Sequence, residues 1–323
     1  MKISGVELTT FVEHHRRAQV LVLRSDAALS GIGEVAASGG GNQIAASTVA
    51  LADLLVGRDP FDVEALLSDA KGDADGTIVD FALVSAATSA MLDLAARSLD
   101  IPVHQLLGGG VRDRIRACAV GWAEGAAGPQ ELASAARRTV ASGFTALRVE
   151  PFATSLSKPA TNVATATELV RAVRHTVPDE VDLVVAADRR LTVSSALELA
   201  DALRPLEPMW LEEPVPASPI DPLRRISQTG ALPLAAGRGA RPDVLRDLVT
   251  GNLVDHLAVE VGRVGGLIEA RRIAALAEVY HVGVVPVGSG GSVSLGAALD
   301  LAAAVPNLSM VEVRPGLAAV EEG

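Results

Sequence analysis

Charged side chains recur just after short apolar runs in the second part of this 323-residue chain. Glu150 follows ALRV, Asp188 follows DLVVAA, and Glu212-Glu213-Pro214 follows Trp210-Leu211. Gly237-Arg238 follows LAA, Glu260 follows HLAV, and Glu312 follows Met310-Val311. Arg148 sits inside the first of these runs, Arg190 two residues beyond Asp188, and Arg263 three beyond Glu260. Neighbouring carboxylates can exchange protons with a substrate or ligate a hard cation. Guanidinium groups hold a carboxylate or phosphate in a two-pronged hydrogen-bonded fork. The simpler reading pairs each arginine with a local acid such as Glu150, Asp188, Glu212 or Glu260, and both readings stand. Ser289-Gly290-Gly291-Ser292 could offer backbone N–H groups to an anion at a helix start, or be an ordinary loop. The six histidines show no metal-ligand spacing, and the single Cys118 excludes an intrachain disulfide or a multi-cysteine metal site.

These residues gain a common address if the apolar runs are strands. The runs begin near Ile115, Ala146, Asp182, Met209, Leu234, His256, Gly283 and Ser309, at intervals of 22 to 36 residues. Amphipathic stretches such as 130–142, 194–203, 242–250 and 267–280 lie between them. Eight strand–helix units at this spacing predict an α/β fold of the (β/α)8 barrel type. A doubly wound sheet would have fewer repeats and a Gly-rich first turn, and GRVGG at 262–266 lacks the G-x-G-x-x-G spacing. In barrels the working residues stand at the C-terminal strand ends, which is where the charged residues fall. Residues 1–110 differ. Strand-like runs at 2–10, 19–24 and 30–35 precede helical patterns near 44–56, 61–70 and 79–99, an α+β arrangement. The predicted division is a capping domain over 1–110 and a barrel over 111–323.

Composition narrows the partners. The net charge is −11, which disfavours nucleic acid, whose phosphates need a basic face. No apolar stretch is long enough to span a membrane, and the N-terminal MKISGVELTT does not read as a signal peptide, so a cytoplasmic protein is expected. Aromatic residues make up 2% of the chain, so Ala, Val and Leu must fill the core. The acidic, apolar-rich composition suggests a homo-oligomer.

The chain resembles the mandelate racemase and muconate-lactonising branch of the enolase superfamily. The motifs that carry the resemblance span almost all of it: MKISGVEL, GIGE at 31–34, MLDLAARSLDIPVHQLLGG at 91–109, VRDRIRA, SGFTALRVEPF, MWLEEPVP, VGRVGGLIEARRIAALAE and SGGSVSLGAALDLAAAVPN. The resemblance implies an α+β cap over a barrel, and Mg2+ held by three carboxylates beside a base that takes a proton next to a substrate carboxylate. At the implied ligand positions this chain has Ala186, Glu212 and Arg238. At the position of the acid–base lysine it has Arg148, whose pKa above about 12 makes it a poor base. Glu260 and Val287 stand where an aspartate–histidine pair is implied. Ala186, Glu212 and Arg238 together carry no net charge, so the expectation is that Mg2+ is absent, with Glu212 a vestigial ligand and Arg238 an internal cation. The expected protein has lost metal-dependent proton abstraction and binds a small anion through Arg148, Arg190, Arg238, Arg263 and Glu312. Two alternatives are a metal-independent lyase or isomerase of a small carboxylate, with Glu260 or Asp188 as base, and a regulatory subunit paired with an active homologue.

Overall fold

The computed structural model describes residues 1–13, 16–36, 41–72, 81–288 and 290–316. Strands β1 (Ile3–Glu13), β2 (Arg16–Ser25) and β3 (Ser30–Val35) form an antiparallel sheet in that order. The first two strands run further than the sequence suggests, because Arg16 and Arg17 continue the β2 ladder opposite Glu13 and Val12. His14 and His15 lie outside the described residues, as does Ser289. Helices Gly41–Leu55, Val63–Gly72 and Phe81–Leu99 follow.

The last of these helices is built for close approach. Its buried face includes Ala82, Ala86, Ala87 and Ala90, and a Cβ on Gly31 or Gly33 of β3 would lie 2.2 Å from Ala90 O or 2.0 Å from Ala86 O. Side chains alternate along a strand, so the glycines that face the helix send Ile32 and Glu34 to the opposite side. Asp93 of the helix accepts the Ile32 N–H at 2.9 Å. The same helix docks on the barrel: Ser85 Oγ accepts from Gly265 N (2.9 Å), and Thr88 Oγ1 donates to Gly265 O (2.9 Å).

Eight parallel strands form the barrel: β4 (Ala117–Ala119), β5 (Ala146–Val149), β6 (Asp182–Ala186), β7 (Trp210–Glu212), β8 (Leu234–Ala236), β9 (His256–Glu260), β10 (Gly283–Val287) and β11 (Val311–Val313). Neighbours in the sheet are consecutive, β11 pairs with β4, and a parallel bridge from Val284 to Leu308 links the remaining edges. The α/β class and the barrel with an N-terminal cap thus stand as read from the sequence. Outward residues such as Leu147, Leu183, Val185, Leu211, Leu257 and Val259 join the large core beneath the helices. Inward residues Cys118, Ala146, Val184, Trp210, Ala235, Val285 and Met310 pack in a separate cluster. No described helix is long and apolar enough to cross a membrane.

Candidate active site at the barrel mouth

One step of strand periodicity above that inward cluster lies a layer of different chemistry. Moving two residues along each strand from Ala146, Val184, Trp210, Val285 and Met310 reaches Arg148, Ala186, Glu212, Val287 and Glu312. The barrel therefore lifts a guanidinium and two carboxylates onto one interior level. Arg148 is 5% exposed, Glu212 2% and Glu312 8%.

Arg148 organises the level. Its Nε donates to Glu212 Oε1 at 3.0 Å, its Nη2 reaches Asp188 Oδ1 at 3.2 Å, its Nη1 donates to Glu150, and its Nε is 3.6 Å from Glu312 Oε1. Arg238 comes from the loop after β8. Its Nη2 donates to Glu212 Oε1 at 2.9 Å and also to Glu312. Burial alone would lower the Arg148 pKa, but Glu212, Glu312, Glu150 and Asp188 reverse this and hold it well above the ordinary arginine value. Arg238 shifts upward against burial in the same way, chiefly through Glu312. Burial would raise the Glu212 pKa, yet Arg148 and Arg238 prevail and push it down to about 2.

A second acid fixes the Arg238 backbone. Glu213 Oε1 accepts from the N–H groups of Gly237 and Arg238, both at 2.8 Å. Gly237 has φ +116°, and a Cβ there would lie 2.6 Å from the Leu245 side chain, so the turn that delivers Arg238 requires glycine. Glu213 Oε2 is buried without a hydrogen-bond partner, and burial raises the Glu213 pKa.

The mouth thus brings together six of the residues singled out from the sequence: Arg148, Glu150, Asp188, Glu212, Arg238 and Glu312. Glu260 and Arg263 form a neighbouring pair, Oε1 to Nε 3.1 Å. Arg190 is exposed and lies outside the network. Ala186 is buried at the end of β6. Two further contributors went unread. Arg314 lines the mouth one residue past β11, and its guanidinium occupies the space a side chain at Gly121 would need. Glu34 belongs to the cap, in the GIGE motif. The anion at the start of the glycine-rich helix is its carboxylate: Oε1 accepts from Gly291 N at 3.0 Å and Oε2 from Ser294 N at 2.9 Å.

Comparison with known proteins places this geometry. The mandelate racemase/muconate lactonizing enzyme N-terminal domain model matches residues 5–108, and the enolase C-terminal domain-like model matches 131–322. The chain belongs to the mandelate racemase/muconate lactonizing enzyme branch of the enolase superfamily. A D-gluconate dehydratase from Thermoproteus tenax is 34% identical over 232 residues, covering 71% of this chain and 46% of the relative. The chain therefore matches less than half the length of that protein. A D-xylonate dehydratase from Haloferax volcanii is 29% identical over 322 residues, covering 94% of this chain and 76% of the relative. An enolase from Agrobacterium radiobacter, solved with bound Na and L-malate, superposes with a TM-score of 0.86 at 26% identity, covering 97% of this chain and 81% of that one.

These relatives correct two expectations. A protein that has lost its proton-abstraction chemistry does not fit a chain related over nearly its whole length to sugar-acid dehydratases. Nor does an expected absence of Mg2+ stand, in a family with dehydratase members and a relative solved with a bound cation. The physical error lay in the charge count. Ala186, Glu212 and Arg238 sum to zero only when Arg148, Glu150, Asp188 and Glu312 are left out. The inner network sets two guanidiniums against four carboxylates, a formal charge of −2. Such a site has an excess of negative charge for a cation or a proton to offset. In the arrangement described, however, the carboxylates converge on guanidinium nitrogens, and no group of three or more His, Cys, Asp or Glu among the described residues is placed to hold a metal ion. Glu212 and Glu312 give the guanidiniums of Arg148 and Arg238 the Oε1 atoms that a cation would otherwise use.

Proposed function

We propose that this protein is a lyase of the dehydratase type, removing water from a small polyhydroxy carboxylate at the barrel mouth. One observation carries the reading: Arg148, Arg238, Arg314, Glu150 and Glu312 line a single cavity of about 210 Å3 at the mouth. The named relatives supply the substrate class, since gluconate, xylonate and galactonate are all polyhydroxy acids.

Dehydration breaks the C–H bond next to the carboxylate and the C–O bond one carbon further on. The proton goes to a base, the hydroxyl leaves as water with a proton from an acid, and the resulting enol becomes a 2-oxo acid. Negative charge grows on the substrate carboxylate as the first bond breaks, and fixed guanidinium donors are suited to hold it. Arg238 and Arg314 take that role here. Arg238 Nε is buried without a hydrogen-bond partner, and Arg314 has only a long contact, 3.6 Å, to the exposed Glu124 among its described ion pairs. We assign proton transfer to the two carboxylates that line this cavity, Glu150 and Glu312; Glu260 and Asp188, the sequence candidates, do not line it. The contacts of Glu150 and Glu312 with Arg148 and Arg238 engage Oε1 of each carboxylate, and Oε2 of each is assigned to the substrate.

Incubating the purified protein with D-gluconate, D-galactonate or D-xylonate, with Mg2+ present, and detecting the 2-oxo product with a carbonyl reagent tests the reading. Formation of 2-oxo acid from at least one supports it; no product from any of them contradicts it.

A further inference from the structure

We infer that Glu34, a residue of the cap, is a positioning residue for the barrel mouth: its carboxylate clamps the glycine loop that forms one wall of the cavity. The inference rests on the cavity being the substrate site proposed above.

The helix Ser292–Ala304 begins without a cap of its own. Its N-cap is Gly291, which has no side chain to accept the first N–H groups. Glu34 does so from a strand 257 residues earlier in the chain, one oxygen on Gly291 N and the other on Ser294 N. A carboxylate at a helix N-terminus gains both from charge-assisted hydrogen bonds and from the positive end of the helix dipole. Glu34 is 8% exposed, so little water competes for these bonds.

Two glycine requirements show that the contact is built from both sides. Gly31 and Gly33 let β3 lie against the helix Phe81–Leu99, which turns Glu34 away from it toward the barrel. Gly291 leaves the space the carboxylate fills, since a Cβ there would lie 2.5 Å from Glu34 Oε2. Inside the loop, Ser294 Oγ donates to Gly291 O at 3.0 Å and accepts from Gly290 N at 3.2 Å, so the clamp reaches Gly290 as well. Gly288, Gly290 and Gly291 line the cavity together with Arg148, Arg238 and Arg314. The wall facing the guanidiniums is thus held in place from the cap. A cap that shifts by an ångström carries this wall with it, which makes Glu34 a link between cap seating and substrate affinity.

The test is hydrogen exchange by mass spectrometry on the intact chain, with steady-state kinetics on whichever sugar acid the wild type converts. Glu34→Gln keeps the shape but puts an amide NH2 against one of the two N–H donors. Gly291→Ala, whose φ of −103° suits alanine, pushes on the same contact from the barrel side. Both variants are expected to speed exchange of amides 290–295 at least tenfold, to leave β5 and β7 amides unchanged, and to raise KM at least fivefold with kcat within twofold. Glu34→Asp, which keeps the charge, is expected to recover part of the KM. Unchanged exchange at 290–295 overturns the inference, and so does accelerated exchange spread over cap and barrel alike with KM unaltered. The exchange measurement needs no substrate, so a wild type that converts no sugar acid counts against the dehydratase reading while the clamp is still decided.

Discussion

Arg148 and Glu212 stand on strands separated by one other strand, and the Arg148 Nε lies 3.0 Å from Glu212 Oε1 inside the barrel. Glu212 Oε1 also accepts from Arg238 at 2.9 Å, so one carboxylate oxygen joins two guanidiniums. Arg148 in turn faces Glu150, Asp188 and Glu312. The mouth depends on this one arginine more than on any other cation described there.

Arg148→Met is expected to lower stability by about 3–5 kcal/mol, because buried carboxylates lose a partner they cannot replace. Arg148→Lys restores the charge without the fork and recovers only part of it. Urea denaturation of the three proteins checks the order. A midpoint for Arg148→Met within error of wild type is the contrary result.

Arg238→Ala is expected to cost less, about 1–3 kcal/mol, since Glu212 keeps Arg148 and the Arg238 side chain is 20% exposed. Adding Glu212→Gln to Arg238→Ala restores much of the loss, because the carboxylate deprived of a partner is then gone. Thermal melts of both variants check this; a double variant less stable than Arg238→Ala alone contradicts it.

Glu212 also gives stability a pH signature. Its folded pKa of about 2 lies below the ordinary 4.5, so the unfolded chain takes up the proton first on acidification. The stability it contributes is complete above about pH 4.5 and is lost as the pH falls toward 2. Glu213 works oppositely: its raised pKa makes its ionised form a burden near neutrality that protonation relieves. Stability measured from pH 7 to pH 2.5 in Glu212→Gln is expected to fall less steeply below pH 4.5 than in wild type. Equal slopes contradict the assignment.

Cys118 is buried in β4, and burial, with Glu312 and Glu212 nearby, pushes its thiol pKa well up. Alkylation by iodoacetamide at pH 8 is expected only as fast as the barrel opens, at least a hundredfold slower than in denaturant. Comparable rates in the two conditions exclude this burial.

The barrel was legible because strand spacing is a local property. Six of its eight strands begin within one residue of the apolar runs: Ala146, Asp182, Trp210, Leu234, His256 and Gly283. Arg148, Glu212, Arg238 and Glu312 were findable because they stand in the C-terminal part of a strand or just past it, a position the periodicity marks. The charge balance was not legible, because it depends on which side chains of distant strands share one layer. Arg148 and Glu312 are far apart in sequence and adjacent only once β11 closes beside β4. Glu34 escaped for a related reason. A helix cap is sought among preceding residues, and here it is supplied from another domain. Arg190 illustrates the opposite failure: its sequence position beside Asp188 was suggestive, but the turn through Asp188 and Arg189, both at positive φ, leaves it exposed.

Proton NMR of D-gluconate, D-galactonate or D-xylonate incubated with the protein in D2O tests the dehydratase reading most directly. The expected result is a 2-oxo-3-deoxy acid carrying one deuterium on the carbon that lost the hydroxyl, formed at least a hundredfold more slowly by Arg238→Ala. Sugar acids that remain unconverted and undeuterated through long incubation, with Mg2+ supplied, would contradict it.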